Sequence, residues 1–116
     1  LNNNVGKLLP LVVNPNPINF GSLPEGRSIS IPVLISNTND KPIIWTVDGY
    51  ETHWLILEEA IGTLQPGGQR EIKVSVKTSS MQPGSYTAIL TFTSDVNDEF
   101  VSVQVPVLLT ISNAYD

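Results

Sequence analysis

The sequence contains no cysteine. That excludes a disulfide framework, a thiolate metal site and a cysteine nucleophile. It has a single histidine, His53, so no imidazole cluster is available to hold a metal or relay protons. Cations are few, with 6 Lys and Arg against 11 Asp and Glu and a net charge of −5. They are also scattered, as Lys7, Arg27, Lys41, Arg70, Lys73 and Lys77. Nothing is grouped to neutralise phosphates, so nucleic acid is not an expected partner. An anionic membrane surface is not expected on the same ground. Long apolar runs are missing too. The longest near the N-terminus, Leu8-Leu9-Pro10-Leu11-Val12-Val13, is short and interrupted by proline, so no membrane insertion is expected. There is no initiator Met. The chain reads as a piece of a larger exported protein, extracellular or held at a cell surface.

A helical apolar period is also absent. What the sequence has instead is strict alternation, the mark of strands with one buried face. Residues 27–36 set Ile29, Ile31, Val33 and Ile35 on one side, with Ser28, Ser30 and Ser36 opposite. Residues 71–77 set Ile72, Val74 and Val76 against Glu71, Lys73, Ser75 and Lys77. Residues 86–93 set Tyr86, Ala88, Leu90 and Phe92 against Thr87, Thr91 and Thr93. Residues 101–111 place Val101, Val103, Val105, Val107, Leu109 and Ile111 on one face. Weaker patterns at 9–13, 18–20, 43–47 and 54–58 bring the count to about seven or eight strands, as in an immunoglobulin-like sandwich. The expected fold is therefore all-β: an immunoglobulin-like antiparallel β-sandwich over residues 9–111. Residues 1–8 read as a linker or frayed N-terminus, and residues 112–116 as a C-terminal exit.

Turn chemistry punctuates these runs. Asn14-Pro15-Asn16-Pro17 should break the first strand, because each proline removes a donor and restricts its predecessor. Gln65-Pro66-Gly67-Gly68 and Gln82-Pro83-Gly84 read as turns, and Asp95-Val96-Asn97-Asp98 should close the last hairpin. Pro32 and Pro106 fall on the outward face of strong strand patterns. Proline cannot donate to a ladder, so both should lie on an edge or at a bulge.

Trp45, then Trp54-Leu55, then Gly62, spaced through this strand pattern, resemble the BACON domain of bacterial multidomain proteins. The run 15–21, with Phe20-Gly21, and the ending Val105-Pro106-Val107-Leu108-Leu109-Thr110 are similar to ASH-like and PapD-like immunoglobulin folds. The resemblance implies the same sandwich. It implies carbohydrate-associated modules on the BACON side and protein-binding or structural ones on the other. It brings no catalytic motif and no ligand residues.

No polar group escapes a plain explanation. Trp45 shares a face with Ile43 and Val47 and reads as core. Trp54 precedes Leu55; if Leu55 and Leu57 point inward, Trp54 points outward. With Tyr50 and His53 it would then form an aromatic platform for a sugar or a protein partner. The other reading has Trp54 capping the sandwich edge. Asp95, Asn97, Asp98 and Glu99 supply oxygens suited to Ca²⁺, yet these residues are also favoured turn formers. Glu58 and Glu59 are neighbours on an extended chain and should face opposite ways, so they do not suit glycoside hydrolysis. No enzyme and no cofactor are expected. The leading expectation is a monomeric spacer or presenter module. Glycan binding through Tyr50, His53 and Trp54, and protein binding by edge-strand addition, are the alternatives.

Overall fold

The computed structural model describes residues 8–113. Nine strands follow in chain order: β1 (Val12–Asn14), β2 (Ile18–Leu23), β3 (Ser28–Ser36), β4 (Ile43–Asp48), β5 (Leu55–Leu57), β6 (Ile61–Leu64), β7 (Gln69–Lys77), β8 (Gly84–Val96) and β9 (Glu99–Ile111). They form two sheets, ordered β1-β3-β7-β5 and β2-β9-β8-β4-β6. The inner faces enclose one apolar core, so the chain is the all-β sandwich that its alternation implies. β6 is the strand the sequence pattern does not announce. The expected linker at 1–8 and exit at 112–116 lie outside the described residues, apart from Leu8, Ser112 and Asn113.

The first strand is split between the sheets. β1 pairs with β3 through Val12↔Ser36 to Asn14↔Leu34. The chain then crosses at Asn14-Pro15-Asn16-Pro17, where both X-Pro bonds are cis. β2 runs parallel to β9 from Ile18↔Val107 to Leu23↔Ile111, with a register shift between Asn19 and Ser22. Each half therefore covers only part of its neighbour. This explains where the alternation weakens. Val33 and Ile35 are buried, but Ile29 is 38% exposed because β1 never reaches its end of β3. Val101 and Val103 are half-buried because β2 joins β9 only from Val107 onward. Both strand prolines sit on these uncovered stretches. Pro32 pairs with Lys73 on one side and has no strand on the other. Pro106 stands one residue before β2 joins. The missing N–H thus costs no ladder bond.

The two ends of the sandwich are tied by buried polar side chains. Asn37, 1% exposed, donates from Nδ2 to the carbonyls of Lys41 (2.8 Å), Leu64 (3.1 Å) and Gln65 (3.1 Å). Its Oδ1 accepts from Asn39 N at 2.9 Å, and Asn39 in turn brackets the Leu9 backbone with bonds of 2.7 and 3.0 Å. At the other end Thr78 is fully buried. Its Oγ1 donates to Pro24 O at 2.8 Å and accepts from Arg27 N at 2.7 Å. These bonds offset the cost of burying the two side chains.

Trp45 is the largest fully buried side chain. The ladder sets it between Gly62 of β6 and Ser94 of β8. A Cβ on Gly62 would meet the Trp45 ring at 2.8–2.9 Å, so the indole occupies the space a side chain would need. Gly62→Ala is therefore expected to destabilise by about 1–3 kcal/mol through overpacking, seen as a lower urea midpoint at unchanged slope. A neutral result would mean that the ring moves freely.

Candidate functional site

The segment singled out in the sequence lies between β4 and β6. β4 ends at Asp48, and the chain turns at Gly49 with φ +99. A Cβ there would collide with the Ile89 carbonyl oxygen, so only glycine fits this close approach. The chain then crosses to the other sheet, forms β5 on its edge, and returns as β6.

Within this crossing Trp54 does not face outward. It is 4% exposed and belongs to the core. Its ring meets Tyr86 edge-on, with centroids 6.2 Å apart and planes at 65°, a favoured aromatic geometry. Tyr86 is itself fixed by its hydroxyl donating to Gln82 O at 2.7 Å. The outward expectation fails because alternation starts only at Leu55, the first residue of β5. Trp54 belongs to the preceding turn, where successive side chains are free to point the same way, and Trp54 and Leu55 are both buried. Tyr50 is half-buried and packs against the core, while His53 is exposed. Tyr50, His53 and Trp54 are therefore near in sequence but do not make an exposed aromatic platform. Trp54 caps the sandwich end instead.

The acidic groups are also accounted for locally. Asn97 and Asp98 both have positive φ, 51° and 69°, and form the two-residue tip between Val96 and Glu99. Asp98 N donates to Asp95 Oδ1 at 2.9 Å. That is the turn role the sequence suggests for these residues. Glu58 accepts from Lys73 N at 3.3 Å. Glu59 forms a two-point pair with Arg70. Hydrogen bonding from that guanidinium holds the Glu59 carboxyl below the usual range, and the Arg70 pKa rises in return. The adjacent carboxylates thus serve different partners.

Two hollows of about 80 and 300 Å³ lie side by side at the Asn37 end, between the 39–42 loop and the Asn97 turn. Neither is lined by His, Ser or Cys. Among the described residues no group of three His, Asp or Glu stands close enough to hold a metal ion. Sequence reasoning did not single out Asn37 or Thr78. The signal available was a polar residue directly after a strongly alternating strand, at Ser36-Asn37 and Lys77-Thr78.

These features define an immunoglobulin-like sandwich whose marked residues serve packing. The chain belongs to the viral BACON domain family, whose profile matches residues 10–106. Comparison with curated proteins finds no match. Among solved structures it is similar to the ASH/PapD-like domain 7 of human CEP192, with TM-score 0.77 and 10% identity over 90% of this chain and 86% of that one. It is also similar to a protein of unknown function from Porphyromonas gingivalis W83, with TM-score 0.81 and 18% identity over 92% of this chain and 50% of that one. A third likeness is to the CsuC–CsuE chaperone–tip adhesion subunit pre-assembly complex of Acinetobacter baumannii, with TM-score 0.66 and 11% identity over 89% of this chain and 57% of that one. The chain spans only about half the length of the latter two. At these identities the likeness establishes the fold.

Trp45 and Trp54 are the only tryptophans, and both are buried. Intrinsic fluorescence should therefore be blue-shifted and poorly quenched by acrylamide, and should remain so in Trp45→Phe, which isolates Trp54. Quenching of that variant like a free indole would contradict the cap.

Proposed function

We propose that this chain is a non-catalytic module that spaces or presents neighbouring parts of a larger, exported protein. One observation carries the reading: the chain enters and leaves at opposite ends of a rod. β1 starts beside Ser36, at the Asn37 end. β9 finishes beside Gly84 and Leu23, at the Thr78 end. The long axis measures 62 Å against 24 and 20 Å across. A domain with this geometry adds its length to whatever it joins. Side-chain ties at both ends favour a fixed direction of entry and exit, because they hold the connecting loops to the strands. Scattered charge, with Lys and Arg nowhere clustered, supports a monomer.

The test fuses one fluorescent protein to each end of the whole chain, and the same pair to a two-copy tandem. Small-angle scattering should show the separation growing by one module length from one copy to two. A separation that stays put, or spreads broadly, removes the spacer reading.

A second reading, protein contact by strand addition, is favoured by β6. It is a sheet edge, Ile61-Gly62-Thr63-Leu64, without proline or charge. Ile61 is 66% exposed. Natural edges usually carry one of those blocking features, as the uncovered part of β3 does with Pro32. The chaperone among the solved structures is seen with a protein subunit, which lends this reading a parallel in fold alone. Hydrogen exchange compares the isolated chain with its parent protein. Slower exchange across Ile61–Leu64 in the parent is expected, whereas equal rates would discard the idea.

A further inference from the structure

Pairing between the terminal strands carries a mechanical consequence, and it rests on the spacer reading. β2 and β9 are parallel; the chain comes into β2, through β1, from the Asn37 end and leaves β9 at the Thr78 end. Tension applied through the ends draws β2 toward the Asn37 end and β9 toward the Thr78 end. The strands slide along each other, and their hydrogen bonds lie across the pull. Bonds loaded in that way share the force and must fail together. Bonds at the end of a peeled hairpin fail one at a time. We infer that the β2–β9 pair is a shear clamp, and that the module's further function is to bear tension between the parts it joins.

The surrounding contacts fit that role. β9 is held on its far side by β8 through thirteen registered pairs, from Gly84↔Ile111 to Val96↔Glu99. The short β2 contact is therefore the link that sets the rupture force. It has two patches, Ile18↔Val107 with Asn19↔Leu108, and Ser22↔Thr110 with Leu23↔Ile111. Between them Gly21, at φ +70, gives its N–H to Asn19 Oδ1 at 2.8 Å. Ser112 N donates to Leu23 O at 2.9 Å and extends the upper patch. β1 adds a second sheared contact with β3, through Val12, Val13 and Asn14. The side chains behind the clamp are apolar and buried: Ile18, Phe20, Val107, Leu109 and Ile111. Water therefore has little access to the bonds from the inner side, and stretching them brings no early replacement partner.

Force spectroscopy on tandem copies of the whole chain tests this. The chain has no native cysteine, so Gln82→Cys gives a second attachment point. Pulling between Gln82→Cys and the C-terminal side peels β9 from β8, starting at Gly84↔Ile111. Pulling through the two ends should need at least about twice the peeling force, since forced rupture follows the unfolding barrier. Leu108→Pro is the matching variant. Ser112 turns its N–H to β2, and alternation along β9 turns that of Leu108 the same way, so proline there removes a clamp bond and spares the β8 ladder. It should lower the end-to-end rupture force. Ile72→Val, a core truncation on β7, should lower the urea midpoint and leave that force unchanged. Equal forces in the two pulling directions would overturn the clamp, even if Leu108→Pro failed to fold. Tandem scattering then tells the readings apart. A clamp that fails with additive spacing leaves the spacer standing, and a loss of additive spacing removes both.

Discussion

One indole in a sandwich of ordinary thickness sets the terms for much of this chain. Trp45 points inward from β4 and is fully buried. Facing sheets stand about 10 Å apart, too little to hold an indole upright among full-sized neighbours. The ring therefore spreads sideways over its own sheet, and the residues beside it must be small. Gly62 on one flank and Ser94 on the other meet that demand. β6 must then bring a glycine to that register, which fixes how the chain returns after β5. The crossing that precedes β6 is constrained in turn by Gly49 against the Ile89 carbonyl. A second aromatic, Trp54, closes the end of the core that the crossing would otherwise leave open. The residues that read as a family signature are thus linked by packing: a large ring, the glycine it lies on, and a cap with its neighbour Leu55.

Much of the fold was legible because period-two alternation reports a buried face directly. β3, β7, β8 and β9 stand where Ile29–Ile35, Ile72–Val76, Ala88–Phe92 and Val101–Ile111 alternate, and the Pro-Gly turns fall between them. β6 was hidden. Ile61-Gly62-Thr63-Leu64 shows no apolar alternation, since its one inward mid-strand position is the glycine beneath Trp45. The outer residue Ile61 is apolar instead, which inverts the pattern. Trp54 was misplaced in the outward expectation because alternation was carried one residue past the end of a three-residue strand. Short strands are where that rule is weakest, as the neighbouring turn sets the side-chain direction. The strand prolines follow a simple rule: a missing donor is tolerated only where no strand waits for it. What one sequence could not reveal was which strand left Pro32 and Pro106 uncovered.

The split first strand answers that and ties the sheets into one body. Had β1 and β2 been one continuous strand, a single sheet would have gained a full edge and the other would have lost its closing strand. Crossing at Pro15 and Pro17 lets one short stretch of chain close both sheets, each over part of its length. The uncovered remainders carry the strand prolines, so neither offers a clean ladder for a stray strand. Hydrogen-bonding capacity is spent at the ends, by Asn37 and Thr78, rather than in a cleft. Those residues bond to main-chain atoms of several loops, which leaves them no free donor or acceptor to turn toward a ligand. The same economy explains why the aromatic and acidic residues that could have built a site do not converge. Tyr86 is engaged with Trp54, Glu59 with Arg70, and Asp95 with the turn that it closes.

Parallel pairing between first and last strands also gives the molecule a direction. Most contacts in the sandwich are antiparallel, so chain ends attached to such pairs would often emerge together. Here β2 and β9 run the same way, and the ends necessarily separate by the length of the strands between them. Strand length sets how far they separate, since β8 and β9 run to 13 residues each. At about 3.4 Å per residue such strands reach roughly 44 Å, most of the long axis of 62 Å. The separated ends and the parallel terminal pair are therefore one property seen two ways, and a change that reversed β2 would remove both at once.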